Sequence, residues 1–443
     1  MRLLQTVLVV LICCRPGFAR VDPPLLLTGA HILDPAGQSW IEGSAILIRD
    51  GRIESIGPDV SAPAEGRAID LAGLYLIPGL IDLHTHLLLH PYDETSWNDQ
   101  VLKESLELRT IRATVAARKT LLAGFTTIRD LGTEGAAFGD VALREATGGI
   151  ALGPPVHQII PGPRIFAVTR ALVATGTYGP AGFDPRWTVP KGAQEADGAD
   201  GLRKAVREQI AAGADWVKVY ADYRRSPGAP STATFTEEEL RAAVDEARSA
   251  GLRVAAHATI DEGIRRASLA GVATIEHGYG ASRETLLLMK ERGAVLCPTL
   301  AAAEAVALYS GWQVGQPAPE GVARSRASFA LAHELRVAIA CGSDAGVFPH
   351  GTNRHELELM VAAGMTPGEA LASATQVAAK VLGRESTLGR IASGCAADLI
   401  GVRADPLLSI TSLGNIQFVM CRGQVLPRGE SPPSGPASDP IVR

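Results

Sequence analysis

The middle of the chain alternates between short apolar stretches and stretches with helical periodicity, and this alternation restricts the possible folds more than any other feature. The apolar stretches predict eight strands, at residues 81–86, 125–130, 164–169, 215–220, 253–258, 274–278, 294–298 and 337–342. Helices are predicted between them, including 106–123, 202–212 and 236–250, and a last helix at 367–382. Strands interleaved with helices in this way close naturally into a parallel (β/α)8 TIM barrel, so the fold class is α/β.

Both ends of the chain predict strands without intervening helices. Residues 25–27, 44–48 and 52–56 near the start, and 398–402 and 416–425 near the end, are apolar or alternating. Asp50-Gly51 and Arg422-Gly423 are typical of tight hairpin turns. We therefore expect a small β-sandwich domain built from residues 20–78 and 383–430, flanking a barrel at 79–382.

The two terminal segments are expected to lie outside these domains. Residues 1–19 combine Arg2, an apolar core and a small-x-small ending at Gly17-Phe18-Ala19, which is typical of a signal peptide. This predicts an exported protein, periplasmic or extracellular. An uncleaved anchoring helix and lipidation at Cys13 or Cys14 are alternatives. The segment 431–443 is predicted to be disordered, since the tail from Pro427 is rich in Pro, Ser and Gly.

Composition limits the partners. The 443 residues carry a net charge of -5 with no long run of one sign, which predicts no nucleic-acid partner. No apolar run after the signal is long enough to span a bilayer. Cys297, Cys341, Cys395 and Cys421 are predicted to be buried single thiols, although an exported protein can form disulfides. A homo-oligomer is compatible with the sequence.

Metal-binding residue types stand at the ends of five predicted strands. They are His84 and His86 on strand one, Lys218 on strand four, His257 on strand five, His277 on strand six and Asp344 after strand eight. Each alone is also typical of a core histidine, a lysine that reaches solvent or a helix-capping aspartate. In a barrel these strand ends converge on one mouth, so together they predict a metal site.

Lys218 lies in an apolar run, and burial lowers the pKa of a lysine and exposes a neutral amine. Such an amine can add carbon dioxide and become a carbamate, an anion able to bind two cations. An ordinary salt-bridged lysine is the alternative.

At this point the chain resembles the metal-dependent amidohydrolase superfamily, and within it the imidazolonepropionase-related branch that includes Xaa-Pro and Xaa-Lys/Arg dipeptidases. The resemblance covers roughly residues 24–428. It is carried by Pro78-Gly-Leu-Ile-Asp-Leu-His-Thr-His86, Thr126-Thr-Ile-Arg-Asp-Leu-Gly132, Gly162-Pro-Arg164, Val217-Lys218-Val219, Ala256-His257, Ile275-Glu-His-Gly278, Gly342-Ser-Asp-Ala-Gly346, Gly364-Met-Thr-Pro-Gly-Glu-Ala-Leu371 and Gly394-Cys-Ala-Ala-Asp-Leu399.

The resemblance implies a site with two divalent metal ions, most often zinc. His84, His86 and Asp344 would bind one ion, His257 and His277 the other, and Lys218 would bridge them as a carbamate. A hydroxide between the metals would attack the carbonyl of an amide. Asp344 would take the proton of this water and pass it to the leaving nitrogen, which makes it the implied catalytic residue.

The sequence departs from its relatives on the substrate side. A His-Gly that is frequent after strand three is replaced by Thr175-Gly-Thr-Tyr-Gly179, where Tyr178 can donate a hydrogen bond. Thr259 stands where many relatives have a second histidine. Tyr220 and Tyr223 after strand four, and Arg354 after strand eight, are the other predicted substrate contacts. Simple packing is the alternative for the tyrosines, and pairing with a neighbouring glutamate for Arg354.

These observations predict a metal-dependent hydrolase of amide bonds that acts on a dipeptide or an N-acyl amino acid. A cyclic amidase of the imidazolonepropionase type is the main alternative. A catalytically inactive binding barrel would be expected to lack ligands, and all six positions are filled. A metal-free sugar-phosphate barrel would need a glycine-rich loop that Cys297-Pro-Thr299 does not supply.

Overall fold

A computed structural model of the chain describes residues 23–155, 157–184, 186–226 and 228–427. The predicted signal at 1–19 and the predicted tail at 431–443 lie outside these residues. The strands are β1 (Leu25–Thr28), β2 (His31–Leu33), β3 (Trp40–Ile41), β4 (Ala45–Arg49), β5 (Arg52–Gly57), β6 (Arg67–Asp70), β7 (Tyr75–Pro78), β8 (Leu80–Thr85), β9 (Phe125–Asp130), β10 (Arg164–Ala167), β11 (Leu172–Val173), β12 (Gln194–Glu195), β13 (Val217–Tyr220), β14 (Asp222–Arg224), β15 (Ser231–Ala233), β16 (Val254–Ala258), β17 (Thr274–His277), β18 (Val295–Cys297), β19 (Leu399–Val402), β20 (Ile416–Cys421) and β21 (Gln424–Val425).

Most of the helices follow a strand of the middle region in the chain order. They are α1 (Trp97–Lys103), α2 (Leu106–Leu122), α3 (Gly139–Ala146), α4 (Gly198–Ala211), α5 (Glu237–Ser249), α6 (Asp261–Ala270), α7 (Arg283–Arg292), α8 (Leu300–Tyr309), α9 (Glu320–Glu334), α10 (His355–Ala362), α11 (Pro367–Ser373) and α12 (Gln376–Val381), with a 3-10 turn at Ile410–Gly414. A capping box starts α5, where Thr236 and Glu239 bond reciprocally.

The middle strands form two parallel sheets that are linked edge to edge. One sheet has the order β10-β9-β8 and the other the order β12-β11-β13-β16-β17-β18. The amide of Asp215, just before β13, donates to Ala167 O in β10 at 2.7 Å. At the other edge, isolated parallel bridges join Leu296 to Ile339 and Thr85 to Ala345. Apart from β12, which pairs with the outer side of β11, the strands therefore follow one another in chain order, and their carboxyl ends point to one side.

The segment 337–342, predicted as the eighth strand, forms no regular β-ladder in the described part of the chain. An isolated bridge at Ile339 joins it to β18. Ala340 N donates to Leu296 O of β18 at 2.9 Å, but other amides in and next to the segment bond elsewhere. Cys341 N donates to Ser373 O at 3.0 Å, and Ser343 N donates to the side chain of Asp82 at 3.0 Å. The segment runs close to β8, where a Cβ on Gly342 would stand 2.9 Å from the Cβ of His84.

The prediction of a single helix at 367–382 is wrong, because the structure has two helices there, α11 and α12. Thr375 at the break has φ -131° and ψ -91°, which is not helical. The carbonyls of Ser373 and Ala374 accept bonds from Cys341 N and Ile81 N, at 3.0 and 2.7 Å, instead of from the next turn. Tertiary hydrogen bonds to the sheet therefore override a continuous helical pattern.

The two chain ends share one sheet. A six-stranded sheet has the order β21-β20-β19-β7-β2-β3, and β19 pairs antiparallel with β7. A four-stranded sheet, β5-β4-β1-β6, packs nearby through a common apolar cluster that includes Leu27, Ile46, Leu399 and Phe418. Both predicted hairpin turns are confirmed. In the first, Asp50 and Gly51 have φ of 50° and 72°, the backbone form that Asp-Gly adopts most easily.

The four described cysteines, Cys297, Cys341, Cys395 and Cys421, are free and buried, as predicted. Among the described residues, no helix has both the length and the apolar character needed to cross a bilayer.

Candidate metal centre and active site

Side chains from three strand ends meet at the carboxyl side of the parallel strands. One ligand atom each of His84, His277 and Asp344 lies within 4.8 Å of the other two. His84 precedes the end of β8, His277 ends β17, and Asp344 follows the bridge at Ile339. His277 and Asp344 have φ of 72° and 65°, a backbone form uncommon outside glycine and frequent at functional sites.

His86 joins this group through Asp344. Its Nε2 lies 3.2 Å from Asp344 Oδ1, and its Nδ1 bonds to Gly132 O at 2.9 Å. The Nε2 of His84 lies 3.5 Å from the same carboxylate oxygen. In both histidines Nδ1 is occupied by another group, so Nε2 is the nitrogen left to face the cluster.

His257 and Lys218 complete the set. The ring centroids of His257 and His277 are 4.6 Å apart, and those of His84 and His277 are 5.1 Å apart. Lys218 is 1% exposed in β13, and its Nζ lies 5.6 Å from the ring centroid of Tyr220. The structure therefore brings all six predicted ligand positions to one region, here called the ligand cluster (His84, His86, Lys218, His257, His277 and Asp344).

Two buried carboxylates, those of Glu276 and Asp82, form hydrogen bonds with His84 of this cluster. Glu276 Oε2 accepts from His84 Nδ1 at 2.9 Å, and its Oε1 accepts from Arg129 Nη2 at 2.9 Å. Asp82 accepts from the amides of His84 and Ser343, both at 3.0 Å, and from Asn353 Nδ2 at 2.8 Å. Such partners fix the orientation of ligand side chains before any ion binds.

Burial controls the protonation of most of these groups. It lowers the pKa of His84, His257 and His277 well below the ordinary value, so these imidazoles are neutral and can donate a lone pair. Burial also lowers the pKa of Lys218, against the opposing charges of Glu276 and Asp344. A lowered lysine pKa increases the fraction of neutral amine.

His86 and Asp344 behave as a pair. Burial would lower the pKa of His86, but the hydrogen bond to Asp344 and the charge of Glu134 raise it to about 9. Burial would raise the pKa of Asp344, but electrostatic interactions with His84 and His86 and the hydrogen bond from His86 lower it. Asp344 is therefore a carboxylate at neutral pH.

The donor chemistry fits divalent metal ions. Neutral imidazoles and a carboxylate are the ligands that zinc takes in catalytic sites, and a carbamate on Lys218 would add oxygen donors. The ligand atoms of His84, His277 and Asp344 are already close together without an ion. The chain therefore provides a suitable metal-binding set.

A cavity of about 400 Å³ opens onto the ligand cluster, and three predicted substrate contacts line it: Tyr178, Tyr220 and Tyr223. The ring centroids of Tyr178 and Tyr220 are 4.4 Å apart, and those of Tyr178 and Tyr223 are 5.0 Å apart. We call these three residues the tyrosine wall. Tyr178 and Tyr223 also line a second, outer cavity of about 970 Å³.

Arg354 is not brought to this site. It lines a different cavity with Lys119 and Leu413, and its Nε lies 3.3 Å from Glu358 Oε1. The alternative noted above, a pairing with a neighbouring glutamate, describes the observed contact. Helix α10 begins directly after Arg354 and directs the side chain away from the cluster.

Sequence reasoning missed several cavity residues, among them Tyr92, Glu134 and Tyr279. Glu134 is 1% exposed and lies four residues after the end of β9. A rule that also counts polar residues a few positions beyond each strand end would have included Glu134. The same rule would have included Tyr279, which lies two residues after the end of β17, whereas Tyr92 carried no such signal.

Comparisons with known proteins agree with this geometry. The chain matches the Amidohydrolase family over residues 75–426. Ochratoxinase from Aspergillus niger is 30% identical over 408 residues, which cover 86% of this chain and 82% of that protein. Imidazolonepropionase from Chromobacterium violaceum is 26% identical over 392 residues, with coverage of 83% and 88%. The crystal structure of a Xaa-Pro dipeptidase with bound methionine in the active site has a TM-score of 0.76 and 33% identity, covering 91% of this chain and 99% of that one.

Proposed function

Since the chain belongs to the amidohydrolase family, we propose that it is a metal-dependent hydrolase of carbon–nitrogen amide bonds whose substrate is a dipeptide or an N-acyl amino acid. The convergence of His84, His277 and Asp344 within 4.8 Å is the observation that carries this proposal. The relative that is named as a Xaa-Pro dipeptidase supports the bond type.

The proposal includes the architecture and the location. Residues 79–382 form the (β/α)8 barrel, and 20–78 with 383–430 form the composite β-sandwich domain. Residues 1–19 direct export to the periplasm or the extracellular space. The parallel pairings in chain order and the β7–β19 pairing support the first two points.

The proposed metal site uses the ligand cluster. His84, His86 and Asp344 would hold one divalent ion and His257 and His277 the other, and Lys218 as a carbamate would supply oxygen donors. When bound, the ions, zinc in this proposal, would lower the pKa of water and draw electrons from the scissile carbonyl.

Asp344 moves the proton in this scheme. Its carboxylate accepts a proton from the attacking water at Oδ1 and returns it to the leaving amide nitrogen. An amine leaves far more easily than an amide anion, so this transfer is needed for cleavage. The lowered pKa of Asp344 keeps the base form available near neutral pH.

Cyclic amides are the second candidate, and the match to imidazolonepropionase favours them. An inactive binding barrel is less consistent with the site, because each of the six ligand positions carries a residue able to bind a metal.

A hydrolysis screen tests the proposal. Protein from about Arg20 onward, loaded with zinc and bicarbonate, is incubated with pooled dipeptides and N-acyl amino acids, and released amino acids are identified by mass spectrometry. Release of one class of C-terminal residue that Asp344→Asn abolishes is the expected result. No release from a protein that binds two metals per chain would reject linear substrates and move the screen to lactams.

A further inference from the structure

Glu134 is a buried carboxylate on the wall of the inner cavity. It is 1% exposed, and its backbone has a φ of 50°. One carboxylate oxygen, Oε2, accepts from Trp97 Nε1 at 2.8 Å and from the hydroxyl of Tyr178. The other oxygen, Oε1, is buried and has no hydrogen-bond partner among the described residues. A buried polar atom without a partner is unusual enough to require an explanation.

Orienting the proposed metal ligand His86 does not explain why Oε1 is buried without a partner. It lies 3.8 Å from His86 Nδ1, but that nitrogen bonds to Gly132 O at 2.9 Å. Gly132 also leaves room for the carboxylate, because a Cβ at that position would stand 3.2 Å from Oε1. The backbone of Gly132 therefore orients His86, and Oε1 stays free.

Arg109 does not neutralise this carboxylate either. Its guanidinium donates to three backbone carbonyls, those of Leu88 at 3.0 Å, Glu134 at 2.8 Å and Thr133 at 3.2 Å. Within the described part of the chain, no lysine or arginine nitrogen forms an ion pair with the carboxylate of Glu134; His86 is the partner found there. His86 is shared with Asp344, which its Nε2 contacts at 3.2 Å, so two buried carboxylates face one imidazole and a cation supplied by a ligand would balance the second.

The surroundings of Oε1 suit such a cation. Glu134 lines the same cavity as His84, His86 and Asp344, together with the rings of Tyr92 and the tyrosine wall. Tyrosine ring faces attract ammonium groups. A cation held by Oε1 would thus lie in the cavity that also contains the proposed reaction centre.

We propose that Glu134 Oε1 binds an ammonium group of the substrate, so that the enzyme selects amides carrying a free amine. This inference rests on the proposed function and narrows it, since it favours dipeptides over N-acyl amino acids. Either the α-ammonium of the N-terminal residue or a side-chain ammonium has the required chemistry.

Matched substrates separate these cases. Alanyl amino acids are compared with propionyl amino acids, which lack only the amine, and 6-aminohexanoyl amino acids with hexanoyl ones. We expect the wild-type enzyme to prefer one aminated series by at least roughly 30-fold in kcat/KM, the loss typical of an unpaired buried charge. A preference for alanyl identifies the α-ammonium, and a preference for 6-aminohexanoyl the side-chain ammonium.

Variants test whether Glu134 causes this preference. Glu134→Gln keeps the shape and an acceptor for Trp97, and we expect it to lose most of the preference, because kcat/KM falls much more for the aminated series than for the amine-free series. Asp197→Asn, at an exposed aspartate that lines neither cavity, is expected to keep the preference. Melting temperature and zinc content are measured for both variants.

Three results would overturn the inference. Equal hydrolysis of aminated and amine-free substrates by the wild type would do so while leaving amide hydrolysis intact, and this comparison decides even if Glu134→Gln does not fold. An equal loss of both series in Glu134→Gln would assign the residue a structural role. No hydrolysis of any series by the zinc-loaded wild type would reject the proposed function and the inference with it.

Discussion

The ligand cluster and the tyrosine wall border the same cavity but are built in different ways. Most residues of the cluster lie on strands or at strand ends, and buried groups such as Asp82 and Glu276 hold them. In the wall, Tyr178 lies in the irregular segment after β11 with a φ of 41°, and Tyr223 lies in the short hairpin β14–β15. Residues of the wall contact one another mainly through their rings.

This difference separates two tasks. Chemistry needs groups fixed within fractions of an ångström, which paired strands and charged hydrogen bonds provide. Substrate selection needs a surface that can change without disturbing those groups, which loops provide. Changes in the cluster should therefore reduce activity on every substrate, and changes in the wall should alter the choice among substrates.

Asp344→Asn is expected to have the largest effect. Asparagine keeps the size of the side chain but cannot accept a proton, so kcat/KM should fall by about 10³-fold or more on every substrate. Asp197→Asn, a change at an exposed aspartate that bonds to Thr175, is the matched control and should stay within about threefold. An active Asp344→Asn enzyme would contradict the expectation that changes in the ligand cluster reduce activity on every substrate.

Glu276→Gln tests the support behind the cluster. The change leaves the buried guanidinium of Arg129 without its carboxylate, so the free energy of unfolding should fall by about 3–5 kcal/mol, and zinc affinity by roughly 10–100-fold. Glu262→Gln breaks exposed pairs with Arg265 and Arg266 and should cost about 1 kcal/mol or less. Denaturant unfolding and zinc titration measure both; similar losses in the two variants would contradict the account.

Tyr223→Ala tests the tyrosine wall. Because the ring contacts Tyr178 and Tyr220, its loss should change the ratio of kcat/KM between two substrates by about tenfold, with zinc content unaltered. Tyr309→Ala, at an exposed position on α8, serves as the control. An equal fall in kcat/KM on all substrates would show that Tyr223 acts like a residue of the ligand cluster and does not control the choice of substrate.

Arg354→Ala should have the smallest effect. Its side chain lies in a separate cavity beside Glu358, so kcat/KM should change less than about twofold on all substrates. A large rise in KM for substrates with a C-terminal carboxylate would restore the role predicted from the sequence.

The parts that sequence predicted well depend on local pattern. The alternation of strand and helix, the hairpin turn at Asp50-Gly51 and the strand ends at His257 and His277 all follow from spacing within a few residues. The closeness of their side chains then follows from parallel strands, whose ends meet on one side.

The parts that sequence missed depend on long-range contacts. The break at Thr375 arises from bonds between the end of α11 and two distant strand segments. Glu134 lines the cavity and has a positive φ, and no pattern of hydrophobic residues records that turn. Arg354 is close to Asp344 in sequence, yet it lines a different cavity.

The central claim is that the ligand cluster binds metal ions on which amide hydrolysis depends. The most direct test removes metal with a chelator and returns zinc stepwise in the presence of bicarbonate, while hydrolysis of the best substrate and bound zinc are followed together, with Lys218→Ala as the comparison. We predict that activity is lost on chelation and returns in proportion to zinc up to two ions per chain, and that Lys218→Ala binds less zinc and stays below about 1% of wild-type activity. Full activity in the metal-free protein, or zinc binding and activity unchanged in Lys218→Ala, would contradict the claim.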